Sequence, residues 1–78
     1  MRRLPIIPHT LLPHELRDLA DRVAREDGYR VRSIPSVNRE RTALLVVFTA
    51  PDGLTFSGSV SSHRLTKYLI QDGRERIL

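Results

Sequence analysis

Seventy-eight residues, 40% of them hydrophobic and 28% charged, are enough for one domain and exclude wholesale disorder. Thirteen Lys and Arg against nine Asp and Glu give a net charge of +4, and every base but Lys67 is arginine. The chain has no cysteine, which excludes a disulfide framework, a thiolate zinc site and a thiol nucleophile.

Residues 1–12 are expected to form an extended arm, because Pro5 and Pro8 fix their own φ and push their predecessors out of helical space. Met1-Arg2-Arg3 before a short apolar stretch imitates the start of a signal peptide. Two prolines interrupt that stretch, however, and no small-residue cleavage site follows. The longest unbroken apolar run, Ala43 to Phe48, falls far short of the roughly 18 residues that a membrane span needs. The expected location is cytoplasmic.

Residues 13–78 are expected to form a single α+β domain. Pro13 suits the first position of a helix. Leu16, Leu19, Ala20, Val23 and Ala24 then fall at i, i+3, i+4, i+7 and i+8, one apolar stripe, and Gly28 supplies a left-handed stop after Asp27. The outer face carries Glu15, Arg17, Asp18, Asp21, Arg22, Arg25, Glu26 and Asp27, with Asp18–Arg22 and Asp21–Arg25 spaced for pairing at i,i+4. That helix is therefore net negative, and the positive charge concentrates in the rest of the chain.

Tyr29 to Ser33 alternates apolar and polar, the pattern of a half-buried strand with Arg30 and Arg32 on one outward face, closed by Pro35. Pro35 to Arg41 (PSVNRER) is expected as a polar loop, and Thr42 to Ala50 (TALLVVFTA) as a central strand. Pro51-Asp52-Gly53 signals a tight hairpin into a third strand, in which Leu54, Phe56, Gly58 and Val60 alternate with Thr55, Ser57 and Ser59. Ser61 or Ser62 caps a second helix, with Leu65, Tyr68 and Leu69 as its buried stripe and Gly73 at its end. The order α-β-β-β-α predicts a three-stranded antiparallel sheet with both helices on one face. Tyr29, Phe48, Phe56 and Tyr68 all fall at expected core positions.

In the central strand, Leu45 and Val47 point away from the helices. Three occupants could cover them: the Leu4–Ile7 segment, a second copy of the chain in a homodimer, or a protein partner. Leu45 and Val47 are accordingly the candidate partner interface.

The basic residues outside the first helix are Arg2, Arg3, Arg30, Arg32, Arg39, Arg41, Arg64, Lys67, Arg74 and Arg76. Of these, Arg30, Arg32, Arg39, Arg41, Arg64 and Lys67 are the candidate nucleic-acid-binding set, since guanidinium groups fork onto phosphate. With the aromatics in the core, stacking on single-stranded bases is not expected, and recognition of a duplex by shape and phosphate is the compatible mode. His9, His14 and Glu15 lack metal-ligand spacing, and no cofactor motif or catalytic set is present.

The helix from His14 that ends in Gly28-Tyr29, the Asp52-Gly53 hairpin and the closing stretch Leu65-Thr66-Lys67-Tyr68-Leu69-Ile70-Gln71-Asp72-Gly73 resemble the double-stranded-RNA-binding fold, and within it the HicA-type toxins, small ribonucleases of toxin–antitoxin pairs. The resemblance spans Pro13 to Gly73 and implies the scaffold and a nucleic-acid partner. The family's catalytic histidine follows the first strand in a Gly-Ser-His context. Here the region reads Ser33-Ile34-Pro35-Ser36-Val37-Asn38, so the activity does not transfer.

The leading expectation is a non-catalytic basic module that engages nucleic acid or a nucleoprotein. The alternative is a protein-binding inhibitor or adaptor, such as one carried by a phage or mobile element, acting through the sheet face or an edge strand. A third reading, residual ribonuclease activity through His63, predicts RNA cleavage that is lost in His63→Ala.

Overall fold

Pro13 opens the first helix and an eight-residue arm leads into it, in a computed structural model that describes residues 5–73. Helix α1 (Pro13–Arg25) buries Leu16, Leu19, Ala20, Val23 and Ala24, the stripe expected from their spacing. Its first turn is closed by the Leu12 N–H, which donates to Glu15 Oε1 at 2.8 Å. The helix ends at Arg25, and the chain reaches Gly28 through a further turn at φ +81°. Arg74 and Arg76, like Arg2, Arg3 and Leu4, lie outside the described residues.

The sheet corrects the expected strand count. What was expected as one strand followed by a polar loop is a strand broken in two, β1 (Arg30–Val31) and β2 (Ser36–Val37). Both pair antiparallel with the same edge of β3 (Ala43–Thr49): Val31 opposes Phe48, and Ser36 opposes Leu45. Between them Ser33-Ile34-Pro35 leaves the ladder. Pro35 has no N–H to donate, so it interrupts the pairing without ending it. The hydrophobic alternation of Val31 and the apolar Val37 resumes on the far side of the break, a signal outweighed by the surrounding polar residues. On the other side of β3 lies β4 (Thr55–Ser61), in register from Ala43–Ser61 to Thr49–Thr55. The element order is α-β-β-β-β-α, with all strand pairs antiparallel.

Pro51-Asp52-Gly53 makes the expected hairpin. Gly53 N–H donates to Ala50 O at 2.9 Å, Ala50 N–H to Leu54 O at 2.8 Å, and Gly53 sits at φ +89°, a left-handed position that suits glycine. Helix α2 (Ser62–Gln71) follows β4 without a loop, its first turn capped by Ser61 Oγ, which accepts from the Arg64 N–H at 3.3 Å.

Both helices lie on the face of the sheet that carries Leu44, Val46, Phe48 and Val60. Leu65 and Leu69 of α2 and the stripe of α1 close this core, and Ile7 and Leu11 of the arm complete it. Ile7 is fully buried and its N–H donates to Arg41 O at 2.8 Å. The arm therefore packs into the core on the helix side. Its described residues do not cover the outer face of β3, for which the Leu4–Ile7 segment is one of the three expected covers. Gly58 is where the Phe48 ring passes over β4: a Cβ added there would lie 2.9 Å from Phe48 Cε2. Three of the four aromatics expected in the core are less buried than that. Phe56 stands at the sheet margin with 40% of its surface exposed, edge-on to Tyr29 at 5.5 Å between centroids, and Tyr29 and Tyr68 are only half-buried. Among the described residues no helix is long and apolar enough to cross a membrane.

Candidate functional site

Two surfaces could carry function, and their electrostatics differ. On the helix side the cations meet carboxylates of the same chain. Asp21, on α1 beside the start of β1, accepts from the Val31 N–H at 3.0 Å and from Arg30 Nε at 3.2 Å, and pairs with Arg25 Nη2 at 2.8 Å. Burial pushes the Asp21 carboxyl up, but the Val31 and Arg30 hydrogen bonds and the Arg25 and Arg30 charges outweigh it and hold the group below its ordinary value. Arg30 is thus turned toward α1.

Glu26, just past the end of α1, binds the next group. Lys67 Nζ lies 2.5 Å from Glu26 Oε2, Arg64 Nη2 lies 3.4 Å from Oε1 and 3.7 Å from Asp27 Oδ2, and the Tyr68 hydroxyl donates to Oε2. Hydrogen bonds from Lys67 and Tyr68 lower the Glu26 carboxyl to about 2, while the same carboxylate raises the Lys67 ammonium and the Tyr68 phenol. Arg22 does not make the i,i+4 pair with Asp18 that the spacing suggests. It reaches Asp72 at the end of α2, at 3.0 Å, with its guanidinium 5.5 Å from the Tyr68 ring centroid. Together these contacts tie α1 to α2.

The pairing at Glu26 has a testable sign. A carboxyl whose pKa is lowered on folding stabilises the fold above its ordinary value of 4.5, and that contribution is lost as the pH falls toward about 2. Glu26→Gln is expected to show a smaller fall in Tm than the parent chain over that acid range, measured by thermal unfolding followed by circular dichroism. Equal acid slopes would mean that the contacts at Glu26 are absent in solution.

Arg41 also differs from expectation, because its guanidinium faces inward. Nε donates to Ile7 O at 2.8 Å and Nη2 to Pro8 O at 3.0 Å, fastening the arm to the loop between β2 and β3. Of the six candidate cations, Arg30, Arg64 and Lys67 are held by carboxylates and Arg41 by backbone carbonyls. Arg32 and Arg39 are exposed with no such partner among the described residues. The six do not form one contiguous free surface. His63 is exposed in the first turn of α2, and among the described residues no group of acidic or histidine side chains could hold a metal ion.

The second surface is the outer face of the sheet. The register places Leu45 and Val47 at its centre, Ser57 and Ser59 opposite them on β4, and Ser36 opposite Leu45 on β2. Arg32 N–H donates to Val47 O at 2.8 Å, which sets Arg32 on the same face. Ile34, thrown out of the ladder by Pro35, joins the rim of the shallow depression formed by these residues. Leu45 is 52% and Ile34 56% exposed. None of the four strands contains an Asp or Glu; the described acids lie on α1 and its exit, in two loops and after α2. The face is apolar at its centre, hydroxyl-bearing on one flank, cationic on the other and free of carboxylates.

Sequence reasoning found Leu45 and Val47 by their alternation. It missed Ile34, whose place on this face follows from the break at Pro35. It also missed Asp21 and Glu26 as binding hubs, which their position on the outer helix face marked only as solvated. Comparisons with family models, with curated proteins and with solved structures give no match for this chain.

Proposed function

We propose that the chain is a non-catalytic protein-binding adaptor or inhibitor that docks through the outer face of its sheet. The partner that fits is a protein surface with an apolar centre and a carboxylate rim. The observation that supports this is the row of exposed Ile34 and Leu45 beside half-buried Val47, on a face without acidic side chains among the described residues. The net positive charge supports recognition of a polyanion less strongly, since Arg30, Arg64 and Lys67 already have carboxylate partners. The guanidinium of Arg32, on this face and without a carboxylate partner among the described residues, suits the rim of a protein interface, where charge sets orientation and on-rate.

The test compares two variants on immobilised chain, with host lysate treated with nuclease and the captured protein then purified and titrated. Val47→Asp is expected to abolish capture, because a carboxylate at the centre of the interface is buried unpaired. Arg32→Glu, at the rim, should weaken it by about tenfold or less. Capture that disappears with nuclease, or tight binding of duplex DNA or RNA that weakens steeply with salt, would replace this reading with the nucleic-acid one.

A further inference from the structure

The two edges of the sheet are built differently. The edge formed by β1 and β2 is broken at Ser33–Pro35 and carries Arg32, features that discourage strand addition. The β4 edge has none of these. It runs unbroken from Thr55 to Ser61, contains no charge and no proline, and among the described residues pairs only with β3.

The hydrogen bonds at the two ends of the β3–β4 ladder show which β4 groups are free. Ala50 N–H donates to Leu54 O and Ser62 N–H to Thr42 O, so the even-numbered residues of β4 face β3. Thr55, Ser57, Ser59 and Ser61 therefore direct their backbone outward, and Thr55, Ser57 and Ser59 are exposed.

The strand is also a chemical palindrome. Thr55-Phe56-Ser57-Gly58-Ser59-Val60-Ser61 reads hydroxyl, apolar, hydroxyl, glycine, hydroxyl, apolar, hydroxyl in both directions. Laid antiparallel on its own copy with the twofold axis at Gly58, Ser57 opposes Ser59 of the second copy and Thr55 opposes its Ser61. These are the residues whose backbone groups point outward, so the register that matches the side chains also satisfies the backbone. Phe56 then opposes Val60 of the second copy, in the pair type that brings side chains closest. A recess of about 150 Å³ lies there, lined by the apolar Val23, Tyr29, Phe48 and Val60 and by the charged Asp27 and Arg64, and the exposed part of the second copy's ring would meet it.

We propose that the chain forms a twofold-symmetric dimer by antiparallel pairing of β4 with β4 of a second copy, centred on Gly58. An isologous contact needs a self-complementary surface, and a palindromic uncharged edge is one. The dimer joins both sheets into one and sets the two outer faces side by side. It does not depend on the adaptor reading, because it is measured on the chain alone.

Sedimentation equilibrium on the full chain tests it. The parent chain is expected to be dimeric, and Ser57→Lys with Ser59→Lys to be weakened about tenfold or more, because each lysine then faces a lysine across the axis. Ser57→Lys with Ser59→Glu places opposite charges face to face and should restore or tighten the dimer. Circular dichroism checks that each variant is folded. A parent chain that stays monomeric at about 1 mM overturns the proposal. So does a dimer that ignores the lysine pair, or a lysine–glutamate variant that associates no better than the double lysine.

Discussion

Leu44→Ala is expected to lower the free energy of unfolding by about 2–5 kcal/mol, while Leu45→Ala, one residue on, changes it by no more than about 0.5 kcal/mol. Leu44 is fully buried between Val37 and Val60 and belongs to the core with Ile7, Val23 and Leu65. Leu45 points to the opposite face, half-exposed. A domain of this size has about 5–15 kcal/mol in total, so the first variant gives up a large part of its stability. Urea unfolding of both checks the result. Similar losses at the two positions would mean that something covers the outer face in the free chain.

The second large effect is expected at Asn38. Its Oδ1 accepts from the Thr42 and Ala43 N–H groups at 2.8 and 2.9 Å, and its Nδ2 donates to Thr42 Oγ1 at 2.9 Å and Glu40 Oε1 at 3.3 Å. One amide thus shapes the turn into β3, and within that turn Arg41 sits at φ +59° with its side chain on the arm. Asn38→Ala strands two part-buried N–H groups and should cost about 2–4 kcal/mol. Asn38→Asp keeps both acceptor bonds and should cost clearly less. Hydrogen exchange at Thr42 and Ala43 separates the cases: the alanine variant exposes both amides, and the aspartate variant protects them.

The parts of the fold that depend on periodicity were legible in the sequence. The α1 stripe, the two-faced β3, the Asp52-Gly53 hairpin and the Ser61 cap each follow from local pattern and local hydrogen bonding. The parts set by distant contacts were not. The sequence at Pro35 signals an end to the strand, yet β3 supplies a partner on both sides of the proline and the strand resumes at Ser36. Charge proved the least transparent. Arg41 looks like its neighbour Arg39, and only the arm's carbonyls, 33 and 34 residues earlier, draw it inward. Arg22 passes over its neighbour Asp18 for Asp72, 50 residues away. The outer-face pair Leu45 and Val47 was readable because facing direction is a local property of a strand, whereas the pairing of a guanidinium is a property of the whole molecule.

The gathering of six of the eight described carboxylates on α1, its exit and the end of α2 gives the molecule an electrical polarity along the axis through its two layers. Seen from the helix side by a distant anion, the arginines are largely cancelled. The strands themselves carry no carboxylate, and only Glu40 and Asp52 lie in the described loops that flank β3. Near an acidic surface the chain should therefore rotate to arrive strands first, so that its charge layout aims the uncovered leucine and valine before any contact is made.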